Sequence, residues 1–144
     1  MLRHKIIPAC YLVLEQDSKF LMLRRQNTGY RDGDYSLISG HVDEHESLRQ
    51  CIIREAQEEV GIVIKPEHLK LIHVVSLIGE DGEDRANLFW SCSEWQEEPQ
   101  NKEPDKCDDL AWFDKVNLPT NMTPEVKLAF ENIFRGELYS ELNI

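Results

Sequence analysis

The sequence predicts a single α/β domain over residues 1–144, with a mixed β-sheet held between helical layers. Three observations point there. Short β-prone segments with alternating apolar residues recur along the chain. One amphipathic helical run lies in their midst, and a second follows them, framed by helix start and stop signals. At 144 residues the chain can bury a sizeable core without disulfide staples.

Taken in order, Ile6 to Leu14 is apolar and β-prone, and Pro8 suggests an edge strand or an irregular start. Gln16, Asp17 and Ser18 make a turn into Lys19–Arg25, whose alternation marks a partly buried strand, so a hairpin is expected. That alternation sends Arg24 and Arg25 to opposite faces. Gln26 to Asp34 is polar with two glycines and reads as a loop, and Tyr35 to Ile38 as a short strand. Glu46 to Val60 has helical periodicity, closed by Gly61, a residue that tolerates the left-handed conformation of a helix end. After a connector containing Pro66, Leu69–Leu77 and Arg85–Ser93 read as antiparallel strands joined by the turn Gly79–Glu83. Trp95 to Asp109 is polar and proline-containing, an ordered loop, and Leu110–Phe113 is a last short strand. Thr123 as N-cap, Pro124 at the first helical position and Gly136 at the end frame the second helix.

Composition excludes several classes of function. A net charge of −11 argues against a general nucleic-acid binder, which needs a basic face. It leaves room for a small anionic substrate, because cations and a few arginines can invert the potential locally. No apolar run approaches the length of a membrane span, and the N-terminus lacks a signal-peptide layout. The four cysteines, Cys10, Cys51, Cys92 and Cys107, are scattered without metal-type pairing and fit a reducing cytoplasm.

The chemistry concentrates between Gly40 and Ile62. On a helix, Glu55, Glu58 and Glu59 stand at i, i+3 and i+4 and share one face. Leu48, Ile52, Ile53, Ala56 and Val60 span the neighbouring apolar arc, so the carboxylates flank a buried stripe. Crowded carboxylates at such an edge repel one another and hold protons more tightly unless a cation sits between them. Oxygen-only ligands suit Mg²⁺, with Mn²⁺ as a substitute, and Mg²⁺ completes its shell with waters and substrate phosphates. The other reading of the same spacing is a solvated acidic face offset by Arg49 and Arg54.

The stretch reads G-x5-E-x7-R-E-A-x-E-E-x-G-I and resembles the signature of the Nudix hydrolases at every fixed position. Gly40, Glu46, Arg54, Glu55, Ala56, Glu58, Glu59, Gly61 and Ile62 fill it without a gap. The resemblance implies the family's α/β/α sandwich and metal-assisted attack of water on a nucleoside diphosphate linked to a group X. It implies Glu55 and Glu59 as principal metal ligands and Glu58 as a further ligand or the holder of a metal-bound water, with Glu58 or Glu59 as the base. Gly40, Glu46, Arg54 and Gly61 take structural roles, Arg54 pairing with Glu46. Family members commonly carry Pro-Gly-Gly before the box, whereas this chain has Ile38-Ser39-Gly40. The backbone carbonyl that serves a metal there survives the change, so Ser39 is carried over as a ligand.

Arg25 resembles the family arginine that contacts a phosphate. Asn101-x-Glu103-Pro104-x-Lys106-Cys107 resembles a loop of small nucleotide pyrophosphatases in the family. That similarity implies a further metal carboxylate from Glu103, and a phosphate or loop contact from Lys106. Tyr30, Asn121 and Met122 are candidates for the base by location. The expected activity is Mg²⁺-dependent hydrolysis of (deoxy)nucleoside triphosphates to monophosphate and pyrophosphate. The alternatives are another X, such as ADP-ribose or a dinucleoside polyphosphate, and a catalytically silent nucleotide-binding module. Small domains of the family often pair, which makes a homodimer one expected arrangement.

Overall fold

The computed structural model describes residues 1–144. In chain order the elements are β1 (Ile7–Gln16), β2 (Lys19–Arg25), β3 (Tyr35–Ser36), β4 (Ile38–His41), α1 (Leu48–Val60), β5 (Lys70–Ile78), β6 (Arg85–Cys92), β7 (Cys107–Asp114), α2 (Pro124–Phe134) and β8 (Tyr139–Asn143). The eight strands form one mixed, hydrogen-bonded sheet in the order β3-β2-β1-β6-β5-β8, with β4 also on β1 and β7 also on β2.

β1 is the axis of this sheet. It runs parallel to β6 from Ile7 to Leu14 and antiparallel to β4 from Ala9 to Leu12. Pro8 therefore does not mark an edge strand. It sits at the start of β1, where the ladder with β4 ends and the Pro8 carbonyl accepts a last bond from Val42 N–H at 3.2 Å, so its missing donor costs little. The β1–β2 hairpin is joined only at its mouth, Glu15–Phe20 and Gln16–Lys19. Beyond that, β4 occupies the edge of β1, and β2 swings away to pair with β7 along its whole length. The sheet consequently splays into two wings.

The alternation along β1 sorts the core into two halves. Cys10, Leu12 and Leu14 face α1, where Cys51, Ile52, Ala56 and Val60 are buried against them. Tyr11 and Val13 face the other way, towards Val126, Ala129 and Phe130 of α2. One helix on each face makes the α/β/α sandwich.

Four boundaries differ from the sequence expectation. Tyr35–Ile38 is two strands, because β3 pairs with β2 while Ile38 begins β4 on β1. α1 starts after Ser47, whose hydroxyl accepts the Gln50 N–H at 3.1 Å while the Gln50 side chain accepts the Ser47 N–H at 2.8 Å. This reciprocal cap holds Glu46 outside the helix. The last predicted strand begins at Cys107, not Leu110, since β2 offers a partner as far back as Arg25. β8 was not expected at all. Its alternating exposed and half-buried residues carry no apolar run, and it is recruited by β5 and by buried His73, whose ring bonds the Glu137 carbonyl at 2.9 Å and the Ser140 hydroxyl at 2.8 Å.

Candidate active site

The site is built where β4 delivers the chain into α1. Gly40 is dictated by crowding, since a Cβ there would overlap the Glu55 carboxylate. Ser39 sits in regular strand and is absent from the residues with positive φ, so the backbone asks nothing of serine that only glycine could provide. Its N–H donates to Glu59 Oε2 at 3.0 Å. Gly61 closes α1 with φ 76° and donates to the Gln57 carbonyl at 3.0 Å.

Arg54 organises one side of the helix. Its Nε donates to Glu46 Oε2 at 2.7 Å and its Nη2 to Glu46 Oε1 at 3.0 Å, a two-pronged pair. The same guanidinium reaches the His41 carbonyl at 3.2 Å, Glu55 Oε1 at 2.8 Å and Glu58 Oε2 at 3.3 Å. The Arg54 contact holds the Glu46 carboxyl below the usual carboxylate range.

On the other side the balance reverses. Burial pushes Glu59 well above the usual range, and the charges of Glu55 and Glu103 push it further against the opposing Ser39 N–H and Arg25. Burial likewise raises Glu55, against the pull of Arg54. Glu58 stands apart, its side chain 54% exposed against 15% for Glu55. As folded, no three Asp, Glu, His or Cys side chains converge to hold a metal. Glu55 is turned to Arg54 and Glu59 to Ser39.

The opposite wall comes from β2 and two loops. A bulge in the β2–β7 register falls between Arg24 and Arg25. Arg24 is held by Asp108 at 2.7 Å. Arg25 donates to the Tyr30 carbonyl at 2.7 Å and the Thr28 hydroxyl at 3.0 Å, with its guanidinium 5.4 Å from the Tyr30 ring centre. In the 101–107 loop, Asn101 caps the turn, accepting the Glu103 N–H at 3.1 Å and donating to the Cys107 carbonyl at 2.8 Å. Lys106 Nζ donates to the Asn27 carbonyl at 3.1 Å, which ties the two loops together.

These elements enclose a narrow cleft of about 100 Å³, lined by Arg25, Ser39, Glu59, Glu103 and Lys106 among others. The structure thus brings five of the predicted site residues to one cavity, with Glu55 beside it. A larger cleft of about 660 Å³ shares Arg25 and Ser39 with the first and extends over the α2-facing side of the sheet. Of the base candidates, Tyr30 lines this second cleft, whereas Asn121 bonds the Gly33 carbonyl at 2.8 Å and Met122 packs into the core. Sequence reasoning missed Tyr11, Asn87 and Glu125, which also line it. Asn87 left a signal, as the one amide in an otherwise apolar or aromatic strand centre, ANLFW. Glu125 left none, since an acid in a first helical turn is ordinary.

Fold and site together define an α/β/α sandwich with a glutamate-lined cleft facing basic side chains. The chain belongs to the Nudix hydrolase family: the NUDIX domain matches residues 4–132. Among solved structures, the MutT NUDIX hydrolase of Burkholderia pseudomallei superposes with a TM-score of 0.81 at 27% identity, covering 89% of this chain and 98% of that one. Among curated relatives, the NAD-capped RNA hydrolase NudC of Stutzerimonas stutzeri is 26% identical over 80% of this chain and 39% of its own length. The ADP-ribose pyrophosphatase of Methanocaldococcus jannaschii is 32% identical over 40% of this chain and 33% of its own length. The chain therefore spans well under half of these two curated relatives.

Proposed function

We propose that this protein is a divalent-metal-dependent pyrophosphohydrolase of nucleotides, cleaving (deoxy)nucleoside triphosphates to the monophosphate and pyrophosphate. The observation that carries the reading is the meeting of Glu59 and Glu103 with Arg25 and Lys106 around Ser39, in a cleft that shares Arg25 and Ser39 with a larger one. Acids and bases so arranged suit a polyphosphate accompanied by a cation, and the adjoining space of about 660 Å³ suits one nucleoside. Likeness over nearly the full length of a MutT hydrolase supports the same class.

The donor set fits Mg²⁺ or Mn²⁺. Glu55, Glu59 and Glu103 offer only oxygen, and the proton affinity of the first two is raised by burial and by neighbouring carboxylates, which a divalent ion would relieve. Glu55, Glu59, the Ser39 carbonyl and Glu103 would hold it, with Glu58 reaching in from the exposed flank. When bound, such an ion supplies charge neutralisation at the phosphates and Lewis acidity.

The chain's own residues do the rest. Arg25 orients a phosphate, pre-set by its bonds to Tyr30 and Thr28. Lys106 adds positive charge across the cleft while bracing the loop. Glu59, which lines the cleft and is held there by the Ser39 N–H, is placed to take the proton of the attacking water. Glu58, exposed and bonded to Arg54, is less suited to that role. Gly40, Glu46, Arg54 and Gly61 hold the loop and helix in register.

A second reading keeps the mechanism and changes X to an ADP-ribose-like or NAD-like group. It is favoured by the names of the curated relatives. The net charge of −11 weighs against an RNA end as the substrate. The test is Mg²⁺-dependent turnover over nucleoside triphosphates, ADP-ribose, NAD and dinucleoside polyphosphates, with products identified. Monophosphate and pyrophosphate from triphosphates support the first reading. Turnover confined to ADP-ribose or dinucleotides replaces it with the second, and binding without turnover leaves a silent nucleotide-binding module.

A further inference from the structure

The register of the sheet places Ala9 beside both His41 and Asn87, and Tyr11 beside both Ser39 and Phe89. Directly paired residues share a face, and Ala9, Tyr11, Ser39, His41 and Asn87 line the larger cleft, with Phe89 buried beside them. Tyr11 is stacked on Phe89 with ring centres 4.6 Å apart, and burial raises its phenol pKa. Two of the polar side chains that line this cleft are buried. Asn87 is 1% exposed, its amide makes no hydrogen bond within the protein, and its Oδ1 is buried without a partner. Glu125, from the first turn of α2, is 4% exposed, and the Tyr30 hydroxyl at 2.9 Å on Oε2 is its side chain's one hydrogen-bond partner.

Buried polar groups are normally satisfied, and an orphaned amide oxygen and a half-satisfied carboxylate lining one cleft ask for a ligand. Their chemistry restricts it. An ionised carboxylate only accepts hydrogen bonds, while an amide both donates and accepts and can exchange its two ends by a half turn. A base with an exocyclic amino group presents N–H donors to the carboxylate and an adjoining acceptor or donor to the amide. Uracil and thymine flank their single N–H with two carbonyls, which would face carboxylate oxygens.

We infer that Asn87 and Glu125 are specificity-determining residues that select nucleotides whose base carries an exocyclic amino group. The inference rests on the nucleotide reading above, because the shared Arg25 and Ser39 join this cleft to the phosphate end.

The experiment measures dissociation constants of non-hydrolysable α,β-methylene triphosphates alongside kcat and KM of the natural ones. The pairs cytosine–uracil, adenine–hypoxanthine and guanine–hypoxanthine each differ at an amino group, and ribo and deoxy sugars are run for each. At least one amino-bearing base should win by about tenfold or more, mainly in KM. Glu125→Gln conserves shape and the Tyr30 contact but adds a donor, so it should shrink that ratio or reverse it towards the oxo base. Asn87→Leu should shrink it too, with melting temperatures reporting on folding. Selective binding without hydrolysis would retain this inference and overturn the proposed reaction. Hydrolysis with base ratios near one, or an effect of Glu125→Gln that follows the sugar rather than the base, would overturn this inference alone. Neither binding nor hydrolysis would overturn both.

Discussion

Helix α1 and the loop that leads into it carry two kinds of glutamate. Glu46 and Arg54 form a closed pair, its carboxyl pulled down by a two-pronged guanidinium and by the Asp43 N–H. Glu55 and Glu59 form an open edge, their carboxyls pushed up by burial and by neighbouring negative charge. The same residue type holds the loop in one place and is left under electrostatic tension in the other. Groups whose environment raises the energy of their charged form are the ones a substrate or cation can relieve.

Substitutions should separate the two kinds, beginning with the open edge. Glu59→Gln is expected to lower kcat by about 10²–10⁴-fold while leaving the melting temperature equal or higher, since it removes a buried charge. A variant that melts much earlier would show that Glu59 belongs with the scaffold. At the closed pair, Arg54→Met should destabilise by about 2 kcal/mol in denaturant unfolding, because it strands the Glu46 carboxylate. Gly40→Ala forces a Cβ into the Glu55 carboxylate and should cost about 1–3 kcal/mol by the same measurement, with activity falling alongside.

The pH dependence of melting should carry opposite signs for the two kinds. Glu46 titrates lower folded than unfolded, so its contribution is complete above the ordinary value of 4.5 and fades as pH falls towards its folded value. Glu55 and Glu59 titrate higher when folded, so stability declines as pH rises from 4.5 through their folded values. Glu46→Gln should flatten the acid limb and Glu59→Gln the other, and added Mg²⁺ should restore stability on the neutral side only. The smallest effect belongs to Glu58→Gln, within about 0.5 kcal/mol for stability, and in kcat a smaller loss than Glu59→Gln. A Glu58 variant that loses more activity than the Glu59 variant would move the base to Glu58.

The family pattern was legible because its residues are local: Gly40, Arg54 and Gly61 answer to turns, caps and contacts within some twenty positions. Both helices and most strands were legible for the same reason, through periodicity and capping. The splitting of Tyr35–Ile38 and the early start at Cys107 were not, since each depends on which distant strand lies alongside. Nor was β8, whose polar sequence becomes a strand only because β5 offers an open edge.

For the site, the sequence by itself determined which side chains are on offer: glutamates at i, i+3 and i+4 on an amphipathic helix, with arginine and lysine candidates elsewhere. Only the tertiary structure decided that Glu59 is half-buried while Glu58 is exposed, that Arg25 reaches both clefts, and that Asn87 and Glu125 share one of them. Spacing along a helix dictates which side chains share a face, but burial and proton affinity depend on what the rest of the chain packs against that face.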